Sequence, residues 1–197
     1  DYTLKCVGNP KNEKKFYYRI VGPTFKKTFG FTPKMKYFDS ATTFGFVVHS
    51  KSIIKFLTEI IKLPKGRKYN HLKIPKEFKK DKKLLISFLR GVFDTDGCIS
   101  FKKKYKEYPY YPVISLTSKS KRLIKEISNV LQQLDIKPSV IYNYVTKDKR
   151  AKEGFTTISR LDLNGKNNLK KWQKTIKFYS PKHIDKINNW IENYSGG

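Results

Sequence analysis

Two acidic residues, Asp94 and Asp96, stand at the end of an apolar run and are followed directly by Gly97. The run Leu84–Phe93 predicts a helix, and Gly97 is placed to end it in a left-handed conformation. The carboxylate of Asp96 would then lie at the negative end of the helix dipole, where it is unfavourable unless a cation binds it. Magnesium takes oxygen ligands from one or two carboxylates and from substrate phosphates. Asp96 is therefore a candidate metal ligand for phosphate chemistry.

The same segment is also compatible with other local structures. Asp-x-Asp-Gly is also a common helix stop, and Asp94 fits a structural role at the helix end better than direct metal contact. A calcium loop is excluded, because its first ligand would be Val92 and its bidentate glutamate would be Lys103. Gly91 costs about 1 kcal/mol relative to alanine inside a helix, so we expect a packing reason for it, such as close approach of a second helix.

The charge balance indicates a polyanionic partner. The 197 residues include 43 Lys and Arg against 16 Asp and Glu, a formal net charge of +27. Such a field attracts nucleic acid, with binding that weakens as salt rises. An anionic membrane surface is the rival partner, but no apolar run approaches the ~18 residues of a spanning helix, and no signal-peptide pattern opens the chain. A lysine-rich surface that serves only solubility is the plain alternative.

The cysteines and histidines do not form a recognisable metal site. Cys6 and Cys98 show no CxxC spacing, and three histidines are scattered along the chain. A structural zinc site is therefore not expected, and an intracellular, reducing location fits.

Strands and helices alternate along the chain. The strands are expected at 2–7, 34–40, 43–49, 98–105, 110–117, 139–145 and 156–163, and the helices at 12–25 (kinked or broken at Gly22-Pro23), 50–61, 84–93, 120–134, 168–176 and 183–193. Leu63–Lys80 is a basic connector with Pro64, Gly66 and Pro75, so we expect one domain over 1–80 and a second over 81–197.

The two halves share one order of elements at an offset of about 110 residues. The helix at Leu84–Phe93 and the strand after it have no counterpart in the first half, since they would lie before Asp1. The first repeat is therefore expected to lack its opening helix and strand. A fragment, a split gene product and a decayed copy all remain open as explanations.

The nine residues Leu89-Arg90-Gly91-Val92-Phe93-Asp94-Thr95-Asp96-Gly97 resemble the signature of the LAGLIDADG homing endonucleases. Arg90 departs from the signature, which has alanine there. The resemblance implies an α+β fold of two αββαββα repeats, each with an antiparallel DNA-binding sheet. It also implies that two signature helices pack side by side, and that the last acid of each meets Mg²⁺ (or Mn²⁺) at the scissile phosphates.

Carried onto this chain, the resemblance assigns the metal to Asp96 and the adjoining Gly97, and makes Gly91 a helix-interface residue. Lys119 matches the active-site lysine after the second strand, against the plain reading of a solvated or phosphate-contacting lysine. Lys11 is the corresponding position in the first half. The second acidic motif would come from a missing segment or another chain.

The resemblance also suggests which side chains meet double-stranded DNA. The candidates lie on the strands of the second half, and they are Lys102, Lys104, Lys106, Tyr142, Tyr144 and Arg160. The expected function is site-specific cleavage of double-stranded DNA through metal-bound water. The rivals are a non-cleaving binder on the same scaffold (a maturase or regulator) and a basic structural component of a ribonucleoprotein.

Overall fold

The computed structural model describes residues 2–66, 72–102, 110–149 and 151–194. The chain divides into two compact units: the first is Asp1–Leu63 with Tyr179–Asp185, and the second is Pro64–Phe178 with Lys186–Gly197. The sequence placed the boundary after residue 80, whereas here the basic connector belongs to the second unit. None of the described helices is long and apolar enough to cross a membrane.

The first unit has three strands and a set of short helical segments. They are β1 (Thr3–Gly8), α1 (Pro10–Phe16), a π-helical turn (Tyr17–Val21), α2 (Gly22–Phe29), β2 (Lys36–Phe38), β3 (Thr43–His49), α3 (Lys51–Lys55) and a second π-helical turn (Phe56–Ile60). The sequence predicted a kink or a break at Gly22-Pro23; the helical path continues there, but through a π-helical turn directly before Gly22. The N–H of Gly22 bonds to the carbonyl of Tyr17, and this wider turn accommodates the proline, which lacks an N–H and would clash with a tight turn before it.

The core of the first unit lies on one face of an antiparallel sheet of order β1-β3-β2. Leu4 pairs with Val48 and Cys6 with Phe46, so these side chains share a face. Aromatic rings of the helical segment cover that face: Phe25 lies 5.0 Å from Phe46, ring centre to ring centre. This apolar layer is what holds the first unit together.

The second unit is built around a four-stranded antiparallel sheet of order β4-β5-β7-β6. Its elements are α4 (Lys76–Lys79), α5 (Lys82–Thr95), β4 (Gly97–Lys102), β5 (Tyr111–Ser118), α6 (Lys121–Gln133), β6 (Pro138–Lys147), β7 (Phe155–Asn164), α7 (Gly165–Thr175) and α8 (Pro181–Tyr194), of which 181–185 belong to the first unit. Apart from the short helix α4, which the sequence analysis left in the connector, the expected order of strands and helices is observed, with ends shifted by one to three residues. The part of the predicted strand beyond 102 lies outside the described residues.

Helices cover one face of this sheet. Ile114, Leu116 and Leu161 point to that face and are almost fully buried, as are the α6 residues Ile124 and Ile127. Helix α6 begins where the sequence predicted, because the Oγ of Ser120 accepts a hydrogen bond from the N–H of Leu123. The opposite face of the sheet is left for other contacts.

The connector joins the second unit through contacts far apart in sequence. The hydroxyl of Ser120 donates to the carbonyl of Leu72 (2.6 Å), and the carboxylate of Glu126 accepts from the N–H of Ile74 (2.9 Å). The side chain of Ile74 is fully buried. These contacts explain why the division falls before residue 64.

The internal repeat is confirmed. Strand β1 and α1 are followed by the β2–β3 hairpin and α3, just as β5 and α6 are followed by the β6–β7 hairpin and α7. The two sheets share the order β1-β3-β2 and β5-β7-β6, and β4 is the extra strand. Among the described residues, α5 and β4 have no counterpart in the first unit, as the sequence predicted.

Candidate active site and nucleic-acid interface

Helix α5 brings Asp96 to the surface. The helix starts at Asp81, whose carboxylate accepts from the N–H groups of Lys83 and Leu84, and it ends where the N–H of Asp96 bonds to the carbonyl of Val92. Two positions along a helix differ by about 200° in direction. Asp94 is accordingly buried (2% exposed), whereas Asp96 is exposed. Of the two acids, Asp96 is the one that faces solvent.

Gly97 is needed for a different reason from the one the sequence suggested. Its φ is not in the left-handed region, and it begins β4 directly. A Cβ at this position would lie 2.5 Å from the carbonyl oxygen of Phe93 and 2.8 Å from its Cα. The expectation of a left-handed helix end is therefore wrong, and close approach of the strand to the helix explains the glycine.

Gly91 lies on an exposed face of α5. An added Cβ would meet nothing within 4 Å, and Ser87 and Thr95, one helical turn away on either side, are also exposed. Leu84 continues this face and is 49% exposed. The described part of the chain therefore supplies no helix packed closely against Gly91.

Arg90 has a structural contact that accounts for its departure from the signature. Its Nε donates a 2.7 Å hydrogen bond to the carbonyl of Ile176, the residue that follows α7.

The structure brings Asp96 and Lys119 to the same end of the β4–β5 hairpin. Gly97 at the start of β4 pairs with Leu116 near the end of β5, and Lys119 follows that strand. The hydroxyls on either side fix the backbone, since the N–H of Ser120 donates to the Oγ of Ser118 (3.0 Å). The side chain of Lys119 is exposed.

Lys11 lies in the first unit, directly after β1. Its N–H donates to the side-chain oxygen of Asn9, which caps α1. It lines a pocket of about 620 Å³ whose other cationic side chains are Lys14, Lys15, Arg19 and Lys182.

Asp96 and Gly97 offer oxygen donors of the type that hard divalent cations prefer. Asp96 offers an exposed carboxylate, and the carbonyl of Gly97 is the adjoining oxygen. No group of three or more His, Cys, Asp or Glu side chains within the described ranges is arranged to hold a metal ion. Magnesium usually keeps waters and takes substrate phosphates beside one or two carboxylates, so a single protein carboxylate is compatible with it.

The face of the second sheet away from the helices carries Arg160. Register places Thr117, Arg160 and Ile141 side by side across three strands, and Ser115 beside Asp162. Lys102 is exposed at the end of β4, while Lys104 and Lys106 lie outside the described residues.

A bulge separates two of the predicted DNA-binding tyrosines. The register of β6 shifts between Ile141 and Tyr144, and Asn143 has a positive φ of 51°. Tyr144 then lies on the face of Arg160, while Tyr142 lies under the ammonium group of Lys121 at the start of α6 (5.6 Å). Tyr142 and Tyr144, which would share one face of a regular strand, are separated by this bulge.

Arg160 is held in place by its neighbours. Its Nε lies 2.9 Å from the carboxylate of Asp162, and its Nη2 donates to the Oγ of Ser115 at 3.2 Å. Burial lowers the pKa of Arg160, but the hydrogen bond and charge of Asp162, followed by Tyr144, outweigh this and raise it. Asp162 and Ser115 were not predicted from the sequence, although the spacing Arg160-x-Asp162 in a strand puts Arg160 and Asp162 on one face.

The chain is similar to known proteins in sequence and in fold. Residues 83–177 match the family model of the LAGLIDADG-like domain. The fold resembles homing endonuclease I-DmoI in complex with DNA and Ca (TM-score 0.60, 14% identity, 95% of this chain and 83% of that chain), and I-DmoI in complex with DNA and Mn (TM-score 0.54, 16% identity, 89% and 86%). The resemblance and the fold class predicted from the sequence are confirmed.

A protein of Methanocaldococcus jannaschii, described as a probable translation initiation factor IF-2, is 29% identical over 140 residues. The match covers 69% of this chain and 11% of that protein, so it spans about a tenth of the length of the curated relative.

Proposed function

We propose that the chain acts in site-specific hydrolysis of double-stranded DNA, because residues 83–177 match the family model of the LAGLIDADG-like domain. The observation that carries the proposal is the exposed carboxylate of Asp96, at the end of the signature helix and at the same hairpin end as Lys119. The likeness to I-DmoI, which has been solved in complex with DNA and Ca or Mn, supports DNA as substrate and a divalent cation as cofactor.

Asp96 would hold Mg²⁺ (or Mn²⁺), with the carbonyl of Gly97 beside it. The cation, when bound, activates water and neutralises charge on the phosphate. Lys119 would place its ammonium group near the same phosphate and stabilise the negative charge that develops there. Asp94, being buried, would keep the helix end in position.

A second acidic motif would complete the site, and two features support an incoming helix–strand segment. Strand β1 occupies the edge of its sheet, at the position where the equivalent strand β5 receives β4. The face of α5 around Gly91 is open to a second helix, and Ser87 and Thr95 would allow close approach. The segment would come from a preceding stretch or from another chain.

DNA would be bound through charge and through the sheets. The net charge of +27 suits phosphate contacts, which fix the register of the protein on the duplex. Recognition of the target sequence would come from Lys102, Tyr144 and Arg160 on the sheet, and from Tyr142 beside the start of α6. Lys104 and Lys106 are further candidates from their positions in the sequence.

The match to a tenth of an initiation factor suggests a coding sequence carried within a host gene, such as an intein or intron, in an archaeal-like source. An intracellular location then follows from the substrate.

A nicking assay tests this proposal. The chain is incubated with a library of long duplexes with and without Mg²⁺, and the ends produced are sequenced. Mg²⁺-dependent breaks at one recurring site support the endonuclease. Selective binding without breaks identifies a non-cleaving regulator or maturase instead. Binding that lacks sequence preference and falls steeply with salt indicates a structural ribonucleoprotein component.

A matched pair of variants tests the partner segment. Gly91→Leu should block close packing of a second helix on α5 and abolish the breaks, while DNA binding stays unchanged. Lys125→Leu, on the exposed side of α6, is the control and should cut normally. Full cutting by Gly91→Leu would contradict a helix packed at this face.

A further inference from the structure

The guanidinium of Arg160 is fixed on the sheet face by residues from two strands. Asp162 lies on the same strand two residues away, and Ser115 lies on the neighbouring strand β5. Tyr144 of β6 lies close enough to interact electrostatically with this guanidinium. An arginine in the middle of a surface sheet normally loses side-chain entropy when it binds a ligand, and these contacts remove much of that cost in advance.

The guanidinium of Arg160 remains available to a ligand. A guanidinium has five N–H donors, of which the contacts to Asp162 and Ser115 use two. The side chain of Arg160 keeps 30% of its surface exposed. Two donors in a fixed plane match the O6 and N7 acceptors of guanine in the major groove. A phosphate, in contrast, would be bound equally well by the many lysines of the chain.

The neighbour of Arg160 on β6 is apolar. Ile141 pairs with Arg160 in register and is 56% exposed, so its side chain is accessible to a ligand on this face. On DNA, an exposed aliphatic side chain at base level contacts the C5-methyl group of thymine. The pair therefore offers two different chemistries to adjacent bases.

We propose that Arg160, held by Asp162 and Ser115, reads a guanine in the major groove and that Ile141 contacts a thymine methyl next to it. This rests on the proposed function and deepens it, because it names what the sheet recognises. Asp162 and Ser115 are positioning residues, and Arg160 is the specificity-determining one.

Selection from a randomised duplex library tests the proposal. The wild-type chain should select a site with one position fixed as guanine. Arg160→Gln should lose preference at that position by about 10- to 100-fold, with a shift toward adenine, because glutamine pairs with adenine. Arg160→Lys should lose discrimination while retaining affinity, because an ammonium group is a point charge. Arg122→Ala, which removes another ion-paired arginine, should leave the selected site unchanged.

A chemical probe keeps the test independent of protein folding. Replacing the selected guanine with 7-deazaguanine removes N7 from the DNA alone, and it should weaken binding of the wild type but not of Arg160→Gln. Replacing the adjacent thymine with uracil should weaken binding of the wild type but not of Ile141→Ala.

Two outcomes overturn the inference and differ from each other. A selected site that is identical for the wild type and Arg160→Gln leaves the endonuclease proposal standing and makes Arg160 a purely structural ion pair. If selection yields no site for the wild-type chain, both the guanine contact of Arg160 and the site-specific endonuclease function are contradicted.

Discussion

The Nε of Arg90 donates a hydrogen bond of 2.7 Å to the carbonyl oxygen of Ile176, and so links the signature helix α5 to the end of α7. Carbonyls at the end of a helix lack intrahelical donors, and a cation there is favoured by the helix dipole. The one residue that departs from the signature by a change of charge thus has a structural role.

Removing this contact should destabilise the second unit. We expect Arg90→Ala to lower the free energy of unfolding by about 1.5–3 kcal/mol, the range for a hydrogen bond that involves a charged group. Lys125→Ala, on the exposed side of α6, should change it by less than about 0.5 kcal/mol. Urea unfolding followed by circular dichroism measures both, and equal stability of the two variants would contradict this role for Arg90.

The two glycines of the signature should respond in opposite directions to alanine. Gly97→Ala places a Cβ against the backbone of Phe93, so we expect a loss of about 1–3 kcal/mol from overpacking. Gly91→Ala adds a methyl group to an open helix face and should stabilise the free chain by about 0.5–1 kcal/mol. Thermal unfolding of the two variants under the same conditions tests whether their stabilities change in opposite directions. A destabilised Gly91→Ala would show that α5 is already closely packed there.

Glu126 should make the second unit sensitive to acid. Burial raises the pKa of this carboxyl, but hydrogen bonds from Arg122, Lys79 and the N–H of Ile74 outweigh it and lower the pKa below its ordinary value. A lowered pKa in the folded state gives stability that is complete above the ordinary glutamate pKa and is lost as the pH falls through the lowered value.

The measurement is the free energy of unfolding between about pH 5 and about pH 3, where the unfolded chain takes up the proton first. Glu126→Gln should reduce the slope of stability against pH, and Arg122→Ala, which removes one partner, should reduce it in the same direction. A slope that is unchanged in Glu126→Gln would show that the carboxyl does not titrate differently in the folded state.

Patterns among residues that are near in sequence predicted much of this structure. The cap at Ser120, the apolar spacing of α6 and the nine residues from Leu89 to Gly97 each depend on near neighbours, and each predicted its element correctly. The order of elements also predicted that, within the described residues, α5 and β4 have no counterpart in the first unit.

Contacts between distant residues account for what the sequence did not reveal. The connector joins the second unit because Leu72 and Ile74 bond to α6, some fifty residues later. Tyr142 leaves the face of Tyr144 because a bulge, set by pairing with β7, shifts the register. The neighbours of Arg160 could be foreseen only once β5 and β7 were known to be adjacent.

The most direct test of the account is the cleavage of a selected duplex by Asp96→Asn in the presence of Mg²⁺. The amide keeps the size of the side chain but is a poor ligand for a hard cation, so we expect cleavage to fall by about 10²- to 10³-fold, equivalent to several kcal/mol, while DNA affinity is retained. Asp135→Asn, in an exposed ion pair with Lys171, is the control and should cut at the normal rate. Normal strand scission by Asp96→Asn would contradict the proposed active site.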